Sequence, residues 1–180
     1  MIIFEENGMV KFNLSNGEYV EAIPVLKDVE KTLYITVDCL QEEHPMERGI
    51  DSNANGYEGS SLRTELNDEI LSMFPGILKK LMIPFENGDY LRLPTEKEIF
   101  GKNEYGEAED ESVHQFECMK LRRNRIAFQG YNGDWEWYWL QNRSVRSAPN
   151  FASVNAYGDA YANSASHPRG VRPLFQIKTL

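Results

Sequence analysis

The sequence predicts an α+β fold in which antiparallel strands are combined with two helices in a single domain. Three observations predict it: Asn-Gly dipeptides between apolar runs near the start, two segments with helix-start signals in the middle, and an aromatic strand block near the end. A chain of 180 residues buries enough apolar surface for a core without disulfide or metal support. We therefore treat residues 1–180 as one domain.

Residues 1–40 are predicted to form an antiparallel β-meander. Asn-Gly dipeptides at positions 7–8 and 16–17 separate apolar runs. They are strong hairpin signals, because the central residues of a tight hairpin turn adopt positive φ. The segment 32–40, which reads TLYITVDCL, is rich in β-branched residues and predicts the next strand.

Residues 41–59 are polar and rich in turn formers, which predicts a loop. A helix is predicted to follow, because Ser60 or Ser61 can cap it and apolar residues then recur at helical spacing. The Pro-Gly dipeptide at 75–76 ends this helix, and residues 77–83 form a further apolar segment. The apolar residues on the predicted helix face are Leu62, Leu66, Ile70 and Phe74.

The second predicted helix begins at a capping box. Thr95 can accept a hydrogen bond from the amide of Glu98, whose carboxylate can reach back to the amide of Thr95. Gly101 follows closely, so this helix is short. Residues 103–117 carry an acidic run that predicts a solvated loop. A cation site is the alternative, because hard cations prefer oxygen ligands.

A basic run follows the acidic one. It indicates a strand edge or loop that complements the acidic run, with a phosphate-binding patch as the alternative. The net charge of -9 and the pI near 4.9 argue against that alternative and against a nucleic-acid partner, since such affinity requires clustered Lys and Arg. The basic residues are Lys120, Arg122, Arg123 and Arg125.

Neither end of the sequence indicates a membrane segment. The N-terminus lacks the basic start and long apolar run of a signal peptide. No stretch approaches the roughly 18 consecutive apolar residues that a membrane helix needs. We therefore expect a soluble protein that has no signal peptide and does not insert into a membrane.

The sequence predicts no cofactor, no metal site and no catalytic centre. Cys39 and Cys118 lie far apart in the chain and are expected to be unpaired and structural, with a disulfide as the alternative. The histidines are scattered, and neither a Gly-x-Ser-x-Gly elbow nor a glycine-rich phosphate loop occurs. We therefore expect a protein that is not an enzyme. An enzyme of unknown class is the second alternative, because carboxylates are plentiful.

Three tryptophans, Trp135, Trp137 and Trp139, stand two residues apart near the end of the chain. Alternate residues of a strand point to opposite faces, so the tryptophans are predicted to share one face. Burial in the core is the commoner fate of such side chains, and we expect it most strongly for Trp139.

The best binding candidate is the polar, aromatic region around Tyr131 and residues 155–167. Loops on a rigid scaffold commonly carry recognition surfaces, and a composition of Tyr, Ser, Asn and Gly is typical of antibody paratopes. Aromatic faces with amide and carboxylate neighbours suit a glycan or a protein surface. The candidate ligand-binding residues are Tyr131, Asn132, Trp135, Asn155, Tyr157, Asp159 and Tyr161.

Five segments occur in an order that resembles an uncharacterised domain family of bacteria and their phages, often found in phage tail-associated or surface proteins. They read GYEGSSLRTELNDEI, LRLPTEKEIFG, WYWLQN, FASVNAYGDA and GVRPLF. The resemblance covers residues 57–180 and is weaker over the N-terminal strands. The closing pattern is also similar, more distantly, to C-type-lectin-like folds, which include the formylglycine-generating enzymes.

This resemblance implies a C-type-lectin-like architecture, in which Arg172 is a buried arginine that ties loops together beside a structural Trp139. Residues 138–142 read Tyr-Trp-Leu-Gln-Asn where the family has Trp-Trp-Leu-Arg-Ser. The late cysteine pair of formylglycine-generating enzymes is missing from the sequence, as is the Glu-Pro-Asn triplet of calcium-dependent lectins. Neither of those activities is therefore implied.

These observations together predict a non-enzymatic recognition module, phage- or prophage-associated, that binds a glycan or protein ligand through its C-terminal loops. A virion structural or assembly protein is the alternative, in which the same surface contacts sister subunits and a homo-oligomer forms. The expected location is the cytoplasm or the virion.

Overall fold

Antiparallel pairing organises the computed structural model, which describes residues 2–179. Six strands form one sheet in the order β1-β2-β3-β4-β11-β5, three form a second in the order β10-β9-β8, and β6 and β7 form a ribbon. The strands are β1 (Ile2–Phe4), β2 (Val10–Asn13), β3 (Tyr19–Lys27), β4 (Lys31–Thr36), β5 (Met82–Ile83), β6 (Ala127–Phe128), β7 (Trp135–Glu136), β8 (Tyr138–Arg143), β9 (Asn150–Val154), β10 (Ala160–Ser164) and β11 (Leu174–Lys178).

The helices are short and lie between the strands. They are α1 (Ser61–Glu65), a π-helical turn (Leu66–Ile70) that continues into α2 (Leu71–Met73), α3 (Gly76–Leu81), α4 (Glu96–Phe100), a 3-10 turn (Glu117–Lys120) and α5 (Arg122–Arg125). The chain is thus a single compact domain dominated by antiparallel strands. The count of two helices was wrong, because α3 and α5 form as well.

The strands β1 to β4 pair in sequence order as antiparallel neighbours, which is the arrangement of a meander. At the first turn Gly8 has φ +86°, and at the second Gly17 has φ +91°. The preceding asparagines keep negative φ, and each instead accepts a backbone N–H two residues on, Asn7 from Met9 and Asn16 from Glu18. The predicted hairpins therefore form, but through three-residue loops with one left-handed glycine and not through tight turns in which both central residues have positive φ.

The helix that begins at α1 packs on the six-stranded sheet. Ser60 caps it, since its side-chain oxygen accepts from the amide of Arg63 at 3.2 Å. The ring of Phe74 at its end lies 5.3 Å from that of Phe12 on β2 and 5.9 Å from that of Phe175 on β11. The four residues predicted for its apolar face, Leu62, Leu66, Ile70 and Phe74, are all buried in this core.

The second sheet is covered on one face by α4, the 3-10 turn and their loops. At α4 both hydrogen bonds of the capping box form, from the amide of Glu98 to Thr95 at 3.3 Å and from the amide of Thr95 to Glu98 at 2.9 Å. Ile99 and Phe116 pack here against Leu140 of β8. This core holds the second sheet at a fixed place beside the first.

Two large side chains that carry hydrogen-bond donors, Arg172 and Trp139, are buried where the sheets meet. The guanidinium of Arg172 donates to the carbonyl oxygens of Thr36 at 2.8 Å and Asn124 at 3.0 Å, so it joins two separate loops. The indole N–H of Trp139 donates to the carbonyl oxygen of His44 at 2.8 Å. Both side chains therefore have partners for their buried donors.

The loop of residues 103–117 is partly anchored. Glu109 accepts hydrogen bonds from the backbone N–H of Lys97 at 2.9 Å and from the side-chain amides of Asn103 at 2.7 Å and Asn142 at 2.9 Å. The basic run lies on the 3-10 turn and α5, whereas a strand edge or a loop was predicted for it. No helix within residues 2–179 has both the length and the apolar character to cross a membrane.

Candidate functional site

The hairpin that joins β9 to β10 repeats the loop form of the N-terminal turns. Its ends close through the bond from the amide of Asn155 to the carbonyl of Asp159 at 2.9 Å, and Gly158 has φ +76°. The side-chain oxygen of Asn155 accepts from the amides of Tyr157 at 2.9 Å and Asp159 at 3.0 Å. Asn155 therefore shapes the turn that presents Tyr157.

Two arginines of α5 hold the tip of this hairpin. Arg122 donates to the carbonyl oxygen of Tyr157 at 2.7 Å and to the carboxylate of Asp159 at 2.9 Å. Arg125 donates to the carbonyl oxygen of Gly158 at 2.9 Å. These charge-assisted bonds fix the tip against α5. Lys120 of the basic run pairs with the acidic run as predicted, through Glu117 at 2.5 Å, whereas Arg122 and Arg125 bind this hairpin.

The ribbon of β6 and β7 lies beside the hairpin. Phe128 and Trp135 are directly opposite each other in its register, so their side chains share a face. The turn between them is closed by the bond from the amide of Gln129 to the carbonyl of Asp134 at 2.8 Å. Phe128 is 37% exposed and Trp135 is 63% exposed, which places both rings in contact with solvent.

The ribbon and the hairpin together form what we call the aromatic surface, made of Phe128, Trp135, Trp137, Tyr157 and Tyr161. The ring centroids of Trp135 and Tyr157 are 6.4 Å apart at an interplanar angle of 50°. Those of Trp137 and Tyr161 are 5.0 Å apart at 84°. Such pairs contribute about 0.5–1.5 kcal/mol beyond burial, so the rings are held in place while Tyr157 remains 61% exposed.

Arginines and a further tyrosine extend this surface at its edges. The guanidinium of Arg169 lies 5.4 Å from the ring centroid of Trp137. The ring of Tyr105 lies 6.1 Å from that of Tyr161 and carries the guanidinium of Arg146 at 4.8 Å. Cation–π contacts of this kind add attraction and leave the outer faces of the arginines available.

The predicted binding residues separate into two places. Trp135, Tyr157, Tyr161 and Asp159 meet on the ribbon and the hairpin, and Asn155 lies within the turn beneath them. Tyr131 and Asn132 lie at the tip of the ribbon instead. There the ring of Tyr131 packs edge-on against Tyr19 at 4.8 Å, and both residues line a separate depression of about 390 Å³ with Gln41.

The set of predicted binding residues did not include Phe128 or the two arginines of α5. The sequence contained a signal for Phe128, because the glycines at 130 and 133 indicate a hairpin turn, and that turn sets Phe128 opposite Trp135. Arg122 and Arg125 had no such signal, since the carbonyls that they bind belong to a hairpin far along the chain.

A buried carboxyl group lies in the chain between the exposed Trp135 and the half-buried Trp137. Glu136 is 7% exposed and accepts the amide of Trp137 at 2.6 Å. Burial, together with a hydrogen bond to the carboxyl of Glu43, raises the pKa of Glu136 to about 7, and the charge of Arg169 only partly opposes this. The side-chain carboxyl of Glu136, beneath the aromatic surface, therefore titrates near neutral pH.

Neither cysteine belongs to the aromatic surface. Cys39 and Cys118 are free thiols, and burial raises the pKa of both, most strongly for Cys39. Across residues 2–179 no three His, Cys, Asp or Glu side chains are grouped so that they could hold a metal ion. The exposed rings of the aromatic surface offer apolar contact, and Arg146 and Arg169 give it a charged rim.

Comparison with known proteins gives one match. A family model described as a domain of unknown function (DUF6273) matches residues 30–179, which is most of the chain. The match begins within the N-terminal meander, upstream of the residue at which the motif resemblance began. A search of curated proteins and a search of solved structures found no match.

Proposed function

We propose that this chain, which belongs to the family of domains of unknown function DUF6273, is a non-enzymatic recognition module that binds a protein through its aromatic surface. The observation that carries the proposal is the exposure of Trp135 and Tyr157 at 63% and 61% on two hairpins. Binding hot spots of protein interfaces are enriched in Trp, Tyr and Arg. The aromatic surface and its arginine rim have this composition.

The aromatic rings stand on hairpins that are held rigidly, which favours a role in recognition. Arg122 and Arg125 fix the hairpin tip, and the cross-strand pair with Phe128 fixes Trp135. A partner that binds pre-positioned rings loses little further conformational entropy, which improves affinity. The nearby polar side chains, Asp159 and Asn155, already hold this scaffold together, which supports binding and not reaction chemistry as the role of the surface.

We also propose that the architecture is C-type-lectin-like. Supporting features are the separate three-stranded sheet β10-β9-β8, the pairing of β11 with β4, and the buried Arg172 before β11. Association with phages or prophages, and action at a virion or bacterial cell surface, follow from the motif resemblance alone. Both are parts of the proposal that the next experiment addresses.

A role in virion structure or assembly is the second candidate. It is favoured by the same exposed rings, because contiguous exposed apolar side chains on a soluble domain often mark contacts with another subunit. In that case the aromatic surface would bind a second copy of the chain or a neighbouring structural protein.

The test measures binding of fluorescently labelled protein to bacterial cells, to protease-treated cells and to purified cell-wall glycans. A double variant, Trp135→Ala with Tyr157→Ala, removes the two most exposed rings of the aromatic surface. Ile77→Ala is the matched control, since Ile77 is 72% exposed on α3 and belongs to neither hairpin. Circular dichroism establishes that each variant is folded.

We expect binding to intact cells that is lost after protease treatment and in the double variant, and kept in the control. Binding that survives protease and fails in the double variant would identify a glycan as the ligand and contradict the protein partner. Absence of cell binding, with self-association in sedimentation that the double variant abolishes, would support the assembly role.

A further inference from the structure

A groove runs along the line where the two sheets meet. None of the residues that line it belongs to the aromatic surface. It consists of three adjoining depressions of about 450, 340 and 390 Å³. The first and second share Tyr57 and Gln141 as walls, and the second and third share Phe85 and Gln176. We call this continuous feature the seam groove. Each depression lies within the volume range of about 300–1,000 Å³ that is usual for ligand sites.

Two glutamines of the seam groove use their side-chain nitrogens in hydrogen bonds and leave their side-chain oxygens free. The amide nitrogen of Gln141 donates to the carbonyl of Leu93 at 2.7 Å, and that of Gln176 donates to the carbonyl of Pro84 at 2.8 Å. These bonds fix both side chains, yet neither side-chain oxygen accepts a bond within the described chain. Both oxygens retain some exposure to solvent, and both residues line the groove.

Tyr57 adds a donor at the junction of the first two depressions. Its phenolic oxygen accepts the amide of Leu93 at 3.2 Å. Its own hydrogen has no acceptor among residues 2–179, and burial raises its pKa, so the hydroxyl stays protonated. The groove therefore presents one fixed donor and two fixed acceptors.

Phe85 supplies an apolar platform between the second and third depressions. The guanidinium of Arg92 lies 5.0 Å from its ring centroid and is itself held by Glu98 through bonds of 2.8 and 2.6 Å. One face of the ring is thus supported by a neutralised ion pair, while the ring still lines the groove. Flat apolar faces of this kind suit the C–H face of a sugar ring.

Charges of both signs line the groove, so neither a cationic nor an anionic ligand is favoured over a neutral one. Within residues 2–179 no ion pair is made by the lining residues Lys27, Lys31, Asp28, Glu86 and Glu109. The other lining charges are paired. Arg143 is paired with Glu107, Arg92 with Glu98, and Glu58 with Arg63 at 3.1 Å. An extended peptide would need unpaired backbone groups along a strand edge. Here the backbone of Arg92 is paired with that of Leu174 at 3.1 and 2.7 Å, and the amide of Gln141 is bonded to Pro94 at 3.0 Å.

We propose that the seam groove is a second binding site that takes a neutral oligosaccharide chain. Sugar hydroxyls both donate and accept, so they match the mixture of Tyr57, Gln141 and Gln176 better than a purely acidic or basic ligand does. One sugar ring packs on Phe85, and its neighbours extend into the adjoining depressions. This site is independent of the aromatic surface and of the protein partner proposed for it.

The experiment titrates the whole chain with neutral tetrasaccharides of glucose, of mannose and of N-acetylglucosamine, and with tetra-alanine as the peptide probe. Binding is followed by calorimetry and by the side-chain amide signals of Gln141 and Gln176 in NMR spectra. We expect one tetrasaccharide to bind and to shift both signals. Phe85→Ala should weaken it by about tenfold or more, and Phe85→Tyr should restore the affinity.

The control is Trp135→Ala, which should leave tetrasaccharide affinity unchanged and so separates this site from the aromatic surface. Three results would overturn the proposal: no tetrasaccharide binds the folded wild-type chain, tetra-alanine shifts the two glutamine signals and the sugars do not, or sugar binding is lost in Trp135→Ala and kept in Phe85→Ala. None of these results bears on whether the aromatic surface binds a protein.

Discussion

The aromatic surface and the seam groove use arginine and aromatic side chains in opposite ways. In the aromatic surface Arg122 and Arg125 bind backbone carbonyls of the hairpin, and the rings of Trp135 and Tyr157 are left exposed. In the seam groove Arg92 supports the ring of Phe85 from one side and is neutralised by Glu98. One region therefore offers apolar contact area, and the other offers hydrogen-bonding groups of fixed direction.

This difference teaches that exposure and fixation are separate properties of a side chain. A ring can be exposed and still be positioned if the backbone beneath it is anchored by charged donors. An amide can be partly buried and still be available if only its nitrogen is bonded, as in Gln141. Changes to the aromatic surface should therefore act mainly through its anchors, and changes to the groove mainly through its rings and amides.

The largest effect is expected for Gly158→Ala. Alanine pays about 1–2 kcal/mol in a left-handed conformation, and at Gly158 its Cβ would also lie 3.0 Å from the backbone oxygen of Arg122. We expect a loss of about 2–4 kcal/mol in the free energy of unfolding, measured in urea. Gly17→Ala is the matched control, because Gly17 has φ +91° with no atom close to a new Cβ, and it should cost only about 1–2 kcal/mol. Equal losses in the two variants would show that α5 does not restrict the space at position 158 of the hairpin.

The next effect compares one ring from each region. Phe85→Ala removes a half-buried ring and its contact with Arg92, so we expect a loss of about 1–2 kcal/mol in unfolding free energy. Trp135→Ala removes a larger but mostly exposed ring, and we expect only about 0.5–1 kcal/mol from its cross-strand pair. A greater loss for Trp135→Ala than for Phe85→Ala would mean that Trp135 is a core residue and not a binding residue.

The pH dependence of stability should report on Glu136. The unfolded carboxyl releases its proton near pH 4.5, whereas the folded one keeps it until about pH 7, so the folded state binds more protons between these values. Stability should therefore fall as the pH rises from about 4.5 to about 7, and change little from this source above that. Allowing for solvent screening, the fall is on the order of 1 kcal/mol. Urea unfolding at several pH values measures it, and Glu136→Gln should flatten the profile; an unchanged profile would exclude Glu136 as the cause.

The smallest effect on stability is expected for Arg122→Ala. Its ion pair with Asp159 is exposed, and such pairs contribute about 0–1 kcal/mol. Local motion should respond more, so amide exchange at Tyr157 and Gly158, followed by NMR, should become faster. Arg123→Ala is the matched control, because Arg123 lies on the same helix and makes no side-chain hydrogen bond within the described residues. Equal exchange in the two variants would contradict the anchoring role of Arg122.

The sequence predicted those features that depend on neighbours in the chain. The cap at Ser60, the capping box from Thr95 to Glu98 and the apolar face of the first helix all rest on contacts within a few residues. The family resemblance likewise agreed with the matched family model at the level of an uncharacterised domain. Periodicity and capping are local signals, which explains their success.

Features that depend on contacts between distant segments were missed. Nothing near Arg122 or Arg125 in the sequence indicates that they bind a hairpin formed by residues 155–159. Tyr131 was grouped with Tyr157 by composition, whereas packing against Tyr19 of β3 takes it to a different place. The seam groove was also invisible to sequence, because Gln141 and Gln176 come together only when the two sheets are packed.

The position of β11 between β4 and β5 has a consequence for biosynthesis. The meander of β1 to β4 can pair as soon as it leaves the ribosome, but the free edge of β4 has to wait for Leu174–Lys178. Until then the nascent chain carries an open strand edge, which is a template for pairing with other chains. The six-stranded sheet is therefore completed only after Leu174–Lys178 has been synthesised, and chaperones that shield strand edges would protect it during that interval.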